Sequence, residues 1–283
     1  MARPTKVKGL GPRTPLRKAA PLLLGARLAD VRKREPALGD FTQTEPIHQM
    51  RVAIRRLRAA LRLLGGDETL RTPLRQMKKL QDALGEVRDL QLQLAWLSKA
   101  RAPLAVECGR KLGVHKRALA RTVRVWTSRT APALEAGLGS VVGAGRLGGK
   151  KMRRSLAREL RGLGALLREA LDRQDARSAH RLRIAVKKLR YHVEVVAPAL
   201  DHAASAVLRT LEPLQETLGA LHDLDVRLAL LGAESEGDGL QALRKEQLAA
   251  RAEQGAALDA ELARWKAEKI PRKLRRLLSK PPG

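Results

Sequence analysis

Aromatic residues are nearly absent from this sequence: three tryptophans, one tyrosine and one phenylalanine occur among 283 residues. β-Sheets favour aromatic and β-branched residues, whereas the hydrophobic residues here are mostly leucine, alanine and valine, which suit helices. Single-stranded nucleic acid is commonly held by stacking its bases on aromatic rings, so the same scarcity counts against that function. The composition therefore predicts an all-α protein.

Cysteine and long apolar runs are also scarce. Cys108 is the single cysteine, which excludes an intramolecular disulfide and is consistent with a reducing compartment. No uninterrupted apolar run approaches the roughly 20 residues that a membrane-spanning helix requires. The basic N-terminus also lacks the apolar core of a signal peptide. We therefore expect a soluble, cytoplasmic protein without a membrane span.

Acidic residues are few relative to basic ones. The chain has 57 lysines and arginines against 29 aspartates and glutamates, which gives a formal net charge of +28. An excess of this size is too large to be neutralised within the chain. It predicts a polyanionic partner, namely nucleic acid, an acidic membrane surface or polyphosphate.

Two stretches of the sequence occur twice. The segment His48–Ala59, HQMRVAIRRLRA, matches His180–Tyr191, HRLRIAVKKLRY. The segment Leu74–Leu97 matches Leu208–Leu231 and shares the pattern LQ-x-x-LG-x-x-x-DL. The offsets of 132 and 134 residues assign both matches to one duplication. We therefore predict two similar four-helix bundles related by a pseudo-twofold axis.

Composition also predicts the boundaries of these repeats. Residues 1–15 are rich in proline, glycine and basic residues, which is typical of a disordered tail. The glycine-rich residues 143–150 predict a linker between a first repeat at 16–142 and a second at 151–270. Residues 271–283 are interpreted as a second basic tail. Pro213 is expected to delay or kink the helix predicted from His202 to Leu231.

The first repeated segment is amphipathic when it is drawn as a helix. Its basic residues fall within an arc of roughly 80°: His48, Arg51, Arg55, Arg58 and Arg62. The adjacent arc is apolar and predicts a core face: Ile47, Met50, Ile54, Leu57, Leu61 and Leu64. The second copy repeats the basic stripe with His180, Arg183, Lys187 and Arg190, beside the apolar residues Leu182, Val186, Leu189, Val193 and Val196.

The basic stripe has two interpretations. It is either an ordinary solvated helix face or a ladder of cations for a linear polyanion. The stripe lacks interleaved acids up to Glu194, so its like charges repel rather than form stabilising pairs. It is dominated by arginine, whose planar fork suits phosphate oxygens. Because the stripe also recurs in both repeats, we favour the ladder.

These doubled motifs resemble the conserved histidine α-helical domain (CHAD) family over about residues 16–270. The resemblance implies two pseudo-symmetric four-helix bundles around a basic central cavity that binds inorganic polyphosphate, with an association with polyphosphate granules in some members. The motif residues carried over are His48, Arg51, Arg55, Arg56, Arg58, His180, Arg183, Lys187, Lys188 and Arg190. Lysine at 187 and 188 keeps the charge of the motif but loses the bidentate geometry of arginine.

Several residues keep two interpretations. His48 and His180 either contact phosphate or hold a neighbouring side chain in place. Asp89 and Asp223 are candidate metal ligands, but we favour a role in orienting nearby arginines, because clustered guanidinium groups are costly where they are partly buried. Four further cations either widen the basic surface or are simply solvated: Arg75, Lys78, Lys79 and Arg209.

Catalytic motifs and cofactor sites are not recognisable in the sequence. It has no phosphate-binding glycine loop, nucleophile elbow or paired-cysteine site, and no E-x-E-x-K signature of the triphosphate-hydrolysing domain fused to some relatives. We therefore predict a non-enzymatic polyphosphate-binding protein without a metal or cofactor. The alternative is a basic helical protein that binds nucleic acid or the nucleoid, for which we find no recognition-helix motif.

Overall fold

The computed structural model describes residues 4–64, 71–97, 102–140, 144–232 and 238–279. Within these ranges the regular secondary structure is helical apart from an isolated bridge between Pro15 and Arg146. The chain divides into two compact units, Met1–Leu147 and Gly148–Gly283. The predicted all-α fold is confirmed. The pseudo-twofold arrangement and the central cavity stay predictions.

The first unit is built from helices that pack in chain order. They are α1 (Leu16–Arg32), α2 (Thr44–Leu64), α3 (Arg71–Leu97), α4 (Ala102–Val125) and α5 (Ala131–Gly137), with a π-helical turn at Trp126–Thr130 between the last two. α2 packs against both α1 and α3, and α3 packs against α4. The first repeated segment therefore lies on a helix that has a neighbour on either side.

The second unit also has five α-helices among the residues that the structure describes. Its helices are α6 (Lys150–Arg173), α7 (Ala176–Val196), α8 (His202–Leu231), α9 (Asp238–Ala267) and α10 (Ile270–Ser279). α7 packs against α6 and α8, and α8 packs against α9. Asp175 caps α7 by accepting a hydrogen bond from Ser178 N at 2.6 Å. α8 begins at His202 and runs through Pro213 without interruption.

The apolar stripes predicted for the two repeated helices form the cores of their units. All six apolar residues listed above for the first copy are buried in α2, and Ile47, Met50 and Ile54 are 0% exposed. The five apolar residues listed for the second copy are buried in α7. Since each fully buried leucine or isoleucine stabilises the fold by roughly 1.5–3 kcal/mol, these stripes fix which face of each helix is turned inward.

The N-terminal segment, for which we predicted a disordered tail at residues 1–15, contacts α1 through Thr5. Thr5 donates its hydroxyl to Asp30 Oδ1 at 2.6 Å, and Arg27 pairs with Asp30 Oδ2 at 3.1 Å. Arg27 also donates to the carbonyl of Thr5. Buried charged groups need hydrogen-bond partners, and residues 4–15 provide them along α1. These contacts hold Thr5 on α1, and the disorder of residues 1–15 stays a prediction.

The C-terminal segment differs from the basic tail that we predicted for residues 271–283. Residues 270–279 form α10, which packs against α6, α8 and α9. Its residues Ile270, Leu274 and Leu278 are spaced four apart, so they share one face, and all three are buried. The segment is therefore an amphipathic helix of the second unit, with its basic residues on the outer face.

Candidate basic anion-binding site

The basic residues of α2 lie at different depths. His48, Arg51 and Arg55 are half-buried, and Arg62 is exposed at the end of the helix. Arg56 and Arg58 are buried, with only 5% and 7% of their surface exposed. The helix therefore presents His48, Arg51 and Arg55 as a continuous patch near its start, while the two buried arginines face its neighbours.

Arg51 is held in place by α3. Its Nη1 donates to Asp89 Oδ1 at 3.1 Å, and its guanidinium lies over Gly85, where an added Cβ would stand 3.5 Å from Nη2. Gly85 and Asp89 are the glycine and aspartate of the LG-x-x-x-DL pattern. The guanidinium thus lies in van der Waals range of the Gly85 position, and the Asp89 carboxylate orients it. This geometry agrees with the orienting role that we favoured for Asp89.

Arg88, the residue before Asp89, completes a cluster around His48. Burial lowers the pKa of His48, and the positive charges of Arg88, Arg51 and Arg55 lower it further, against an opposing effect from Glu45. His48, Arg51 and Arg55 share one face of α2, and Arg88 adjoins Asp89, which Arg51 contacts on α3. We refer to His48, Arg51, Arg55 and Arg88 as the first basic cluster.

A corresponding group forms on α7 and α8 of the second unit. The rings of His180 and His222 are 5.3 Å apart between centroids and inclined at 42°. Burial lowers the pKa of His222, and the charges of Arg183, His180 and Lys187 lower it further, opposed by Asp223. We refer to His180, Arg183, Lys187 and His222 as the second basic cluster.

Other predicted site residues have protein partners instead of lying in a cluster. Arg58 Nη1 donates to Gln81 Oε1, and Arg190 Nη1 donates to Gln215 Oε1 at 3.0 Å. Lys188 Nζ lies 3.3 Å from Glu159 Oε1, on the side of α7 that faces α6. The structure thus brings together only part of the predicted set, and Arg58, Arg190 and Lys188 connect helices.

The supporting residues are mostly at the surface. Lys78 pairs with Asp82 at 2.5 Å in an exposed contact of one helical turn. Arg75, Lys79, Arg209 and Asp223 are exposed. The four cations among them, Arg75, Lys78, Lys79 and Arg209, are therefore typical of a solvated surface. This is one of the two interpretations that the sequence left open.

Arg88 and His222 are cluster residues that the sequence prediction did not include. Each lies directly before the aspartate of the LG-x-x-x-DL pattern, one at Arg88-Asp89 and the other at His222-Asp223. A cationic or protonatable residue at the same place in both copies is the signal that could have identified them. Periodicity within α2 and α7 alone was insufficient, because both residues are contributed by the next helix.

The residues that the structure describes include neither a metal-binding group nor a membrane-spanning helix. Across the described ranges, His, Cys, Asp and Glu nowhere form a group of three that could hold a metal ion. None of the helices described is long and apolar enough to cross a membrane.

Comparison with known proteins identifies a family. The family model of the CHAD domain matches residues 22–232 of this sequence. The crystal structure of the CHAD domain from the plant Ricinus communis matches with a TM-score of 0.66 and 26% identity, covering 98% of this chain and 96% of that chain. PptA from Streptomyces chartreusis has a TM-score of 0.55 at 14% identity, with 94% and 100% coverage, which is a likeness of fold. No curated protein matches the sequence.

Proposed function

Because this chain belongs to the CHAD domain family, we propose that it binds inorganic polyphosphate through the first and second basic clusters. The observation that carries this proposal is that basic side chains of two adjacent helices meet in each unit: Arg51 contacts Asp89 beside Arg88, and the rings of His180 and His222 lie 5.3 Å apart. Holding like charges together is unfavourable in the free protein. A bound polyanion reverses that cost, because it neutralises all of the charges at once.

The chemistry of the clusters suits phosphate groups. Arginine presents a planar fork that donates two parallel hydrogen bonds to phosphate oxygens, and Arg51 is already oriented by Asp89. Residues one helical turn apart, such as Arg51 and Arg55, are separated by about 5–6 Å along α2. Cations at this spacing can contact successive parts of a phosphate chain and release its counterions.

Two of the three tryptophans are buried, which supports polyphosphate over single-stranded nucleic acid. Trp126 and Trp265 are each 1% exposed, and their indole nitrogens donate to Glu35 and Glu261. Neither ring is available to stack on a base. Binding should therefore depend on phosphate charge and on the geometry of the arginines. Duplex DNA is the competing ligand against which this proposal is tested.

We further propose that binding is not accompanied by turnover and takes place in the cytoplasm at polyphosphate granules. The clusters are built from cations and imidazoles, and their nearby acids, Asp89 and Asp223, have roles that need no metal. Asp89 pairs with Arg51, and Asp223 acts on His222. A binding site of this kind would retain polyphosphate without cleaving it.

The experiment is a titration of long-chain polyphosphate into cluster variants. Arg51→Gln with Arg55→Gln should weaken binding at least about tenfold, or about 1.4 kcal/mol, and Arg183→Gln with Lys187→Gln should act similarly. Each has a control with the same change in charge on exposed residues: Arg117→Gln with Arg124→Gln on α4, and Arg154→Gln with Arg161→Gln on α6.

The controls separate a specific site from general attraction. If charge alone determines affinity, each control pair should weaken binding as much as the cluster pair in its unit. We expect the controls to remain within about threefold of the unaltered protein at physiological salt, because exposed charges beyond a Debye length of about 8 Å are screened. Equal effects of cluster and control variants, with all proteins folded by thermal melts, would refute the proposed site.

A further inference from the structure

The two basic clusters differ in the residue types that carry their positive charge. His222 stands in α8 where the pattern places Arg88 in α3, and Lys187 stands where the first copy has Arg55. The first basic cluster thus has three arginines and one histidine. The second has one arginine, one lysine and two histidines. Arginine is charged at every physiological pH, whereas histidine changes its charge between about pH 5 and pH 8.

The geometry around His222 couples its charge to a second imidazole. The centroid of its ring lies 5.3 Å from that of His180, and positive charge on His180 disfavours a proton on His222. From α7, Arg183 and Lys187 also act on His222, and from α8 itself Asp223 opposes them.

The remaining neighbours of α7 and α8 direct their charged groups to other partners. On α9, Arg251 Nε donates to Asp225 Oδ1 at 2.6 Å. On α6, Glu159 pairs with Lys188, and Glu169 pairs with Arg181. The buried residues of α10, which also packs on α8, are apolar. The charge near His222 is therefore determined mainly by the cluster itself and Asp223.

The sign of the pH effect follows from proton linkage. In the free protein, burial and the neighbouring cations hold the pKa of His222 below its usual value. A bound polyphosphate adds negative charge beside the ring, which favours the protonated form and raises this pKa. Binding then takes up protons. The affinity must rise as the pH falls through the pKa of the complex, and it must level off below the pKa of the free protein.

We propose that the second basic cluster is a proton-dependent polyphosphate site, in which His222 takes up a proton with the ligand, whereas the first basic cluster is charged mainly by its arginines. This inference rests on the proposed function. It assigns ligand-binding roles to His222 and Arg88, and it predicts that the chain holds polyphosphate more tightly in acidic conditions.

The experiment compares the pH dependence of polyphosphate affinity in four full-length proteins between about pH 5.5 and pH 7.5. His222→Arg makes the second basic cluster resemble the first, and Arg88→His makes the first resemble the second. His202→Arg is the matched control, because it adds the same charge to exposed residue 202 of α8, about 30 Å along the helix from His222. Long chains are used because their few terminal phosphates, which titrate near about pH 6, contribute little.

The unaltered protein should bind about tenfold more tightly at the acidic end, which corresponds to one histidine whose pKa rises by about one unit. His222→Arg should bind at least as tightly at the neutral end and lose most of this dependence. His202→Arg should keep the dependence. Arg88→His should bind more weakly at the neutral end and show a steeper dependence than the unaltered protein.

Two failures are distinguishable. If the folded, unaltered protein does not bind polyphosphate at any pH in this range, the proposed function fails and this inference fails with it. If it binds, but His222→Arg keeps the full pH dependence or Arg88→His adds none, the inference alone is wrong. Histidine proton resonances recorded with and without polyphosphate provide a second readout, since the resonance of His222 should titrate at a higher pH in the complex.

Discussion

Arg190 Nη1 donates a hydrogen bond to Gln215 Oε1 at 3.0 Å, which joins α7 to α8. In the first unit, Arg58 donates to Gln81 and joins α2 to α3. Both arginines come from the first repeated segment and both glutamines from the second. The same pair of residue types thus connects the same two segments in each unit, and these arginines support the helices that carry the basic clusters.

Replacing Gln215 tests this structural role. Gln215 is only 9% exposed, so Gln215→Leu should leave Arg190 without this partner and lower the free energy of unfolding by roughly 1–3 kcal/mol. Urea unfolding measures the change. Gln241→Leu, at an exposed position of α9, should stay within about 0.5 kcal/mol. A normal stability for Gln215→Leu, together with weakened polyphosphate affinity, would instead identify Arg190 as a ligand contact.

The C-terminal helix supplies a second prediction. Leu274 is 1% exposed in α10, so Leu274→Ala should destabilise the protein by about 2–5 kcal/mol through lost burial and a cavity. Arg275→Ala changes an exposed neighbour and should have little effect on thermal unfolding. If the two variants melt at the same temperature, Leu274 does not stabilise the second unit and α10 is not packed against it.

Burial explains where the sequence prediction failed. The bounds of α8 and the buried stripe of α2 followed from periodicity, because a stripe of leucine and isoleucine has one favourable orientation. Periodicity assigns a residue to a helix face, but it does not give its depth. Arg58 belongs to the basic stripe of α2, yet it is 7% exposed because α3 covers it and supplies Gln81.

Contacts between helices account for the remaining differences. Arg88 and His222 belong to the clusters through the packing of α3 on α2 and of α8 on α7, which no single helix reveals. Similarly, the many arginines and lysines of residues 271–283 concealed the four-residue spacing of Ile270, Leu274 and Leu278. The contacts of Thr5 with α1 are likewise not visible in the composition of residues 1–15, from which we predicted disorder.

A buried pair between α6 and α7 predicts a pH dependence of stability. Glu159 Oε1 lies 2.6 Å from His192 Nδ1. Burial raises the pKa of Glu159, but the hydrogen bond and charge of His192, together with Lys188, outweigh that effect and leave the pKa below its usual value. The pair therefore stabilises the fold above the unfolded pKa of about 4.3, and this contribution is lost as the pH falls through the lower folded pKa.

Glu159→Gln removes the titrating carboxyl group and tests the direction of this pH dependence of stability. The variant should be less stable than the unaltered protein at neutral pH, and the difference should shrink as the pH falls below about 4.3. Urea unfolding at a series of pH values measures both curves. Glu216→Gln, at an exposed position, should leave the shape of the curve unchanged. If the difference in stability between Glu159→Gln and the unaltered protein grows as the pH falls, the lowered pKa assigned to Glu159 is contradicted.

Hydrolysis of polyphosphate is tested separately from polyphosphate binding. We expect purified protein, supplied with Mg²⁺ or Mn²⁺, to release no orthophosphate from polyphosphate above background. Asp89→Asn should alter the orientation of Arg51 and weaken binding without changing this result. Metal-dependent release that Asp89→Asn or Asp223→Asn abolishes would establish an enzyme and would assign those carboxylates as metal ligands.

The most direct test of the central claim is a competition at physiological salt between long-chain polyphosphate and duplex DNA at equal phosphate concentration. The clusters hold oriented arginines rather than diffuse charge, so we predict that DNA displaces less than about a tenth of the bound polyphosphate, whereas unlabelled polyphosphate displaces about half. Arg51→Gln with Arg55→Gln should remove this preference. Equal displacement by DNA and polyphosphate would contradict the account and favour a general nucleic-acid-binding protein.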